Sequence, residues 1–160
     1  MTLPALFIAH GAPDLPLSGT PARAFTEGLG KRFPGLRAIV VVSAHWEARQ
    51  PTIGTAPAPE TVHDFGGFDE RLYTMRYPAR TSPEVIREVN EALTAAGIPH
   101  TEDPQRGYDH GAWIPLLLAF PKADVPVIQL SLIRGGSPAD HLRLGRALAP
   151  LRDKGVLVVG

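Results

Sequence analysis

The chain has 160 residues, enough for one domain with a hydrophobic core, and its 16 basic and 16 acidic residues give zero formal net charge. It contains no cysteine, which excludes disulfides, thiolate metal ligands and a cysteine nucleophile. Because no apolar run approaches the roughly 20 residues that cross a bilayer, and no basic block or signal peptide is present, we expect a soluble, cytoplasmic protein that binds neither nucleic acid nor membrane.

Two apolar runs near the N-terminus predict parallel strands. The first, residues 5–9, stops at His10 and Gly11. The second, residues 38–43, is rich in β-branched side chains, as is typical of an interior strand that is buried on both faces. Helical spacing of apolar residues over 21–33 predicts a helix between them.

Residues 51–80 are rich in Pro, Gly and Thr and predict irregular structure, with an edge strand at 52–55 and an ordered loop at 62–68. Helices and strands alternate after this segment. We predict helices at 81–96, at 111–120 and from 137 onward, and strands at 125–132 and 156–159. This alternation predicts an α/β fold of three layers, with a mostly parallel sheet and helices on both faces.

The last predicted strand, residues 156–159, is as apolar as an interior strand, yet the sequence stops at Gly160. We therefore expect residues 1–160 to form a single catalytic-type α/β domain that is truncated at its C-terminus. Two alternatives are an edge strand at a natural terminus and completion of the sheet by another chain.

His10 and His45 follow the first two predicted strands directly or within two residues. The carboxyl ends of parallel strands meet at one edge of an open α/β sheet, where ligands bind. If the two strands are neighbours, both imidazoles can bind the same ion. Since cysteine is absent, imidazole and carboxylate are the available ligands, which suit Fe(II), Zn(II) or Mn(II).

His110 lies where a helix is predicted to begin, preceded by Tyr108 and Asp109. The positive end of the helix dipole disfavours the imidazolium, so that a neutral His110 is a candidate general acid or base. Tyr108 and Asp109 could orient His110 or bind a substrate. The alternative is that Asp109 caps the helix and His110 is a surface residue.

His63 and Asp64 lie in the predicted glycine-rich loop. They are candidates for a second pair of active-site residues. The alternative is a local turn in which Asp64 bonds to its own backbone and His63 has no function.

Five sequence blocks carry these candidates. They are residues 7–13 (FIAHGAP), 41–46 (VVSAHW), 62–68 (VHDFGGF), 107–113 (GYDHGAW) and 126–131 (PVIQLS). In this order and combination they resemble the class III extradiol ring-cleavage dioxygenases, and most closely the 4,5-DOPA dioxygenase extradiol branch.

The resemblance implies a divalent metal, Fe(II) for oxygenation or Zn(II) as isolated, with His10 and His45 among its ligands. It implies that His110 acts as acid/base beside a bound catechol and that His63 belongs to the substrate pocket. The implied reaction takes a small, DOPA-like catechol and O₂ and opens the ring next to one hydroxyl. It further implies a longer protein whose next block carries another metal-site histidine, with one more farther on. Without that segment we expect an exposed apolar sheet edge, which a homo-oligomer could cover.

Two other functions remain open at this point. Tetrapyrrole metal chelatases also place a His-Gly pair after their first strand, although blocks 41–46 and 107–113 speak against that family. A non-catalytic binding module that kept the fold is the second alternative. The metal ligands that this sequence lacks favour it, whereas the retained His10, His45 and His110 indicate either a recent loss of the site or an artificial truncation.

Overall fold

The computed structural model describes residues 2–160. Its strands are β1 (Ala5–Leu6), β2 (Ala38–Ala48), β3 (Thr52–Gly54), β4 (Thr101–Asp103), β5 (Val127–Ile133) and β6 (Val156–Val159). Its α-helices are α1 (Pro21–Leu29), α2 (Glu70–Thr74), α3 (Pro83–Ala95), α4 (His110–Ala119) and α5 (Pro138–Leu148).

The six strands form one sheet in the order β1-β6-β2-β5-β3-β4. All neighbouring strands run parallel except β3 and β5, which are antiparallel. The predicted α/β fold with a mostly parallel sheet is confirmed. The predicted interior position of the strand at 156–159 is also confirmed, since β6 lies between β1 and β2.

Alternate residues of β2 face opposite sides of the sheet, and each side carries a helical layer. Ile39 and Val41 contribute to a core with Trp113 of α4, which packs on β2 and is contacted by α1. Ala38 and Val40 contribute to the second core, which α3 and α5 cover. These residues are almost completely buried, as expected for a strand between two helical layers.

The helix starts follow from local side-chain chemistry. Ser82 accepts a hydrogen bond from the backbone of Val85 and caps α3, which a proline opens. Ser137 and Asp140 form a reciprocal capping box at the start of α5. These caps explain why both helices begin where the sequence predicts.

Three strand predictions are wrong in detail. β1 covers only Ala5–Leu6 of the predicted residues 5–9. The strand at Thr52–Gly54 is not an edge, because β4 pairs with it and forms the edge of the sheet. β2 does not end at Ser43, because pairing with β5 resumes after an irregular stretch and continues to Ala48.

No helix within residues 2–160 combines the length and the apolar character that crossing a membrane requires.

The position of α5 on the sheet gives a stability prediction. Leu148 is 1% exposed in the core, whereas Leu142 of the same helix is 56% exposed. We expect Leu148→Ala to lower the free energy of unfolding by about 2–5 kcal/mol, because truncation leaves a cavity. Leu142→Ala is the matched control and should change it by less than about 0.5 kcal/mol. Chemical denaturation measures both, and equal effects would contradict this packing.

Candidate metal centre

Three imidazoles meet at the edge of the sheet where the parallel strands end. His10, His45 and His110 each offer one ring nitrogen, and these nitrogens lie within 4.8 Å of one another. His45 is exposed, His10 is half-buried and His110 is buried. The cluster therefore reaches from the interior to the surface, so a small ligand can approach it from solvent.

The pair formed by His10 and His45 has the spacing of two ligands of one ion. Their Nε2 atoms are 3.0 Å apart. A metal–imidazole bond of about 2.1 Å places two nitrogen ligands of one ion roughly 3.0–3.4 Å apart. A hydrogen bond between one protonated and one unprotonated nitrogen fits the same distance, so the pair suits either a metal or a proton.

His45 reaches the cluster from an irregular stretch of β2. Residues 43–46 lie between Val42, which pairs with Leu130, and Glu47, which pairs with Leu132. They face Ser131 alone on β5, so the strand bulges and a side chain is redirected. The expectation that His45 follows the end of its strand is corrected: it lies within β2, in this bulge.

Contrary to the prediction, His10 does not follow its strand directly, because β1 ends at Leu6; Gly11 turns the chain immediately after His10. Gly11 has φ of +65°, a left-handed conformation that glycine adopts without steric cost. The turn leaves the His10 ring edge-on to both other imidazoles, with ring centroids 4.9 Å from His45 and 5.2 Å from His110.

His110 is the first residue of α4, and the start of this helix packs closely against β2. Its ring centroid is 4.0 Å from that of His45. Gly111 permits this approach, since a Cβ there would lie 2.6 Å from Ser43 Oγ and 2.7 Å from His45 Cδ2. The interpretation of His110 as a surface residue is wrong, because only 7% of it is exposed.

Asp64, which the sequence placed either in an active-site pair or in a local turn, holds the His110 ring. One oxygen of Asp64, Oδ1, accepts hydrogen bonds from the backbone N–H and from Nδ1 of His110, both at 2.9 Å. With Nδ1–H donating to the carboxylate, Nε2 carries the free lone pair. Burial acts to raise the pKa of Asp64, but these two bonds outweigh it and the pKa lies below its ordinary value.

Burial lowers the pKa of His10, and possible positive charge on His110 and His45 lowers it further. His10 therefore favours the neutral imidazole, which is the form that binds a metal.

Tyr108 and Asp109 are both about 1% exposed. The Tyr108 hydroxyl donates to the carbonyl of Val127 at 2.8 Å, and burial raises its pKa. Asp109 caps α4 and accepts hydrogen bonds from four protein groups. Both side chains therefore have hydrogen-bond partners inside the protein.

His63 belongs to a group of aromatic side chains beside the cluster, which we call the aromatic wall. Its members are His63, Phe65, Phe68, Tyr73 and Trp113. The ring centroids of contacting members lie 5.1–6.3 Å apart. Phe65 joins the wall to the cluster, since its ring centroid is 5.7 Å from that of His110. His63 Nε2 lies 3.1 Å from the carbonyl oxygen of Met75.

The remaining two histidines lie apart from the cluster and have structural partners. His141 Nε2 accepts from the backbone N–H of Ile133 at 3.1 Å, which ties α5 to the end of β5. His100 Nε2 lies 3.0 Å from Oδ1 of Asn90 on α3. Both side chains therefore have structural roles within the described fold.

An apolar cavity of about 390 Å³ opens beside the cluster, at the carboxyl ends of the strands. His10 lies in its wall together with Val41, Pro115 and Leu132. A larger cavity of about 630 Å³, around Phe33, lies elsewhere and contains none of the three clustered histidines.

Known proteins similar to this chain include ring-opening dioxygenases. Residues 28–160 match the family model described as the catalytic LigB subunit of aromatic ring-opening dioxygenase. The chain is 41% identical over 158 residues to 4,5-DOPA dioxygenase extradiol of Beta vulgaris, covering 96% of this chain and 59% of that protein. It is 42% identical over 158 residues to the protein of the same name from Escherichia coli (strain K12), covering 98% and 58%.

One solved structure is also similar over nearly the whole chain. The crystal structure of an uncharacterized protein from Escherichia coli K12 matches with a TM-score of 0.75 and 36% identity, covering 97% of this chain and 57% of the other. The chain thus spans somewhat more than half the length of the relatives it matches.

The contact between Asp64 and His110 predicts a defined imidazole tautomer. We expect ¹⁵N NMR of the metal-free protein to show His110 protonated at Nδ1. Asp64→Ala should change the tautomer ratio roughly tenfold toward Nε2–H, because a hydrogen bond to a charged group is lost. Asp64→Asn should keep most of the preference, since both bonds use one oxygen that an amide also offers.

Asp69→Ala is the control for the Asp64 variants, because Asp69 caps α2 in the same region and bonds to Arg71. It should leave the His110 signals unchanged. An unaltered tautomer in Asp64→Ala would show that Asp64 does not orient the ring.

Proposed function

Because the chain belongs to the LigB family of aromatic ring-opening dioxygenases, we propose that it contains the metal-binding part of an extradiol dioxygenase. The proposed reaction opens the ring of a catechol, such as DOPA, with O₂. The single observation that supports it best is the cluster of His10, His45 and His110 at the carboxyl ends of the strands, open to solvent and flanked by an aromatic side chain. The relatives named as extradiol dioxygenases favour this reaction over tetrapyrrole chelation.

We assign the metal to His10 and His45. Their 3.0 Å separation fits two imidazoles on one ion, and the pKa of His10 favours the neutral ligand form. We propose Fe(II) as the native metal, because imidazole ligands suit it and reaction with O₂ requires a redox-active ion. When bound, such an ion supplies Lewis acidity toward the catechol oxygens and the redox chemistry for O₂.

His110 is the proposed acid/base. Its Nδ1 is engaged by Asp64, so Nε2 is the nitrogen that can accept a proton from a catechol hydroxyl and later return it. His110 is buried, and its backbone N–H also donates a hydrogen bond to Asp64. A fixed ring beside the metal pair suits proton transfer, which depends on a short and well-aligned approach.

The aromatic wall is the proposed contact surface for the substrate ring. Phe65 is half-buried and meets His110 almost perpendicularly, at 83° between the ring planes. A planar apolar ring packed there gains contact with an aromatic face or edge. His63, in the same group, is the proposed polar member of this pocket.

The proposed roles of the three histidines predict that their substitution affects bound metal and turnover differently. We expect His10→Ala and His45→Ala to lose bound metal, whereas His110→Ala should keep the metal and lose about 10²–10⁴-fold in turnover. Protein loaded anaerobically with Fe(II) is assayed for metal content, for O₂ uptake and for the yellow ring-opened product with DOPA and other catechols.

His100→Ala is the matched control and should keep both metal and turnover. Normal metal content in both His10→Ala and His45→Ala would refute the metal assignment. Loss of metal in His110→Ala would make that residue a ligand instead of the acid/base. Metal-loaded wild-type protein that consumes no O₂ with any catechol would refute the proposed reaction.

Phe65 gives a separate prediction about substrate binding. We expect Phe65→Ala to raise KM for the catechol about five- to tenfold, because roughly 1–1.5 kcal/mol of ring contact is lost. Phe25→Ala, on the exposed side of α1, should leave KM unchanged. Steady-state kinetics with equal metal content measures both. An unchanged KM in Phe65→Ala would place the substrate elsewhere.

A further inference from the structure

We propose that Asp109 is a positioning residue that fixes His45 and His110 relative to each other. The proposal rests on the metal centre of the proposed function. The two histidines belong to different elements, the bulge of β2 and the start of α4. Their relative placement therefore depends on what joins these elements, and Asp109 contacts both.

The first oxygen of Asp109 links the helix to the backbone of His45. Oδ1 accepts from Ser43 Oγ at 2.5 Å and from the backbone N–H of Ala112 at 3.2 Å. Ser43 Oγ in turn accepts from the backbone N–H of His45 at 3.1 Å. One short chain of hydrogen bonds thus runs from the start of α4 to His45.

The second oxygen reaches the far side of the bulge. Oδ2 accepts from Arg106 Nη2 at 2.7 Å and from Gln129 Nε2. The Arg106 guanidinium lies over the Trp46 ring, 4.7 Å from its centroid, in a cation–π contact. Gln129 extends from β5 and pairs in register with Val41 of β2.

These contacts hold the bulge on both sides of His45. Ser43 precedes His45 and is bound directly, whereas Trp46 follows it and is held through Arg106. His110 is the first residue of α4, and Asp109 is the N-cap residue directly before it. A displacement of Asp109 would therefore move both imidazoles.

The number of donors shows that Asp109 does more than cap a helix. A cap needs one acceptor, which serine, threonine or asparagine also supplies. Asp109 accepts from four donors and is 1% exposed, and its partners Ser43 and Gln129 are also buried. Only a carboxylate offers acceptors on both sides, because an amide would turn its NH₂ toward one pair of donors.

Cobalt binding tests this role in the folded, metal-loaded protein. The visible absorption of bound Co(II) depends on the geometry of its ligands. We expect Ser43→Ala and Asp109→Asn to shift these bands and to weaken Co(II) binding on the order of tenfold. Ser43→Ala removes only a hydroxyl, so it decides the test if Asp109→Asn does not fold.

Ser82→Ala is the matched control, since Ser82 caps α3 on the opposite face of the sheet. It should lower the melting temperature and leave the Co(II) spectrum and affinity unchanged. Wild-type spectra and affinities in Ser43→Ala and Asp109→Asn, with only lower melting temperatures, would overturn the positioning role.

The same experiment separates this proposal from the proposed function. A wild-type protein that binds no Co(II) refutes the metal centre and the positioning role together. A wild-type protein that binds Co(II), with the expected response of the two variants, supports the positioning role even if its Fe(II) form opens no catechol ring.

Discussion

The close packing of the first turn of α4 against the bulge of β2 decides where the three imidazoles lie. A Cβ on residue 111 would lie only 2.6 Å from Ser43 Oγ. Glycine at this position therefore lets the helix pack this closely against β2. Within the bulge, pairing with β5 is interrupted, so the sheet ladder alone does not fix these residues. Side-chain hydrogen bonds to the buried Asp109 take over this task. The relative positions of the three imidazoles thus depend on the start of α4 and on the bulge of β2.

Two carboxylates support the cluster in physically different ways. Asp64 contacts an imidazole directly and thereby sets which nitrogen of His110 faces the other histidines. Asp109 contacts no imidazole; its donors are a hydroxyl, an amide, a guanidinium and a backbone N–H. Asp64 therefore controls the orientation and the tautomer of the His110 ring. Asp109 controls the backbone positions that carry the rings of His45 and His110.

The sequence predicts those parts of the structure that depend on local patterns. Apolar runs and serine caps identify β6, α3 and α5, and the positions of His10 and His45 near strand ends predict that they meet. The bulge of β2 is not predictable in this way. The residues after Ser43 have no continuous apolar or alternating pattern, and only their pairing with β5 shows that the strand continues to Ala48. The contact of Asp64 with His110 joins a loop to a helix 46 residues away. Only the folded chain shows that this loop lies against α4, although the block at 62–68 marks it as a candidate.

His10 differs from the other two histidines in how firmly the fold holds it. His110 is bound through its ring and its backbone, and the backbone of His45 is bound to Ser43. His10 follows a two-residue strand at the edge of the sheet, and among residues 2–160 its ring has a hydrogen-bond partner only in His45. Ordering a side chain costs conformational entropy, so fixing the His10 ring would cost more than fixing the His110 ring, which the fold already holds. Hydrogen bonds from the rest of the protein thus hold His110 and the backbone of His45, whereas the His10 ring is held only by its contact with His45.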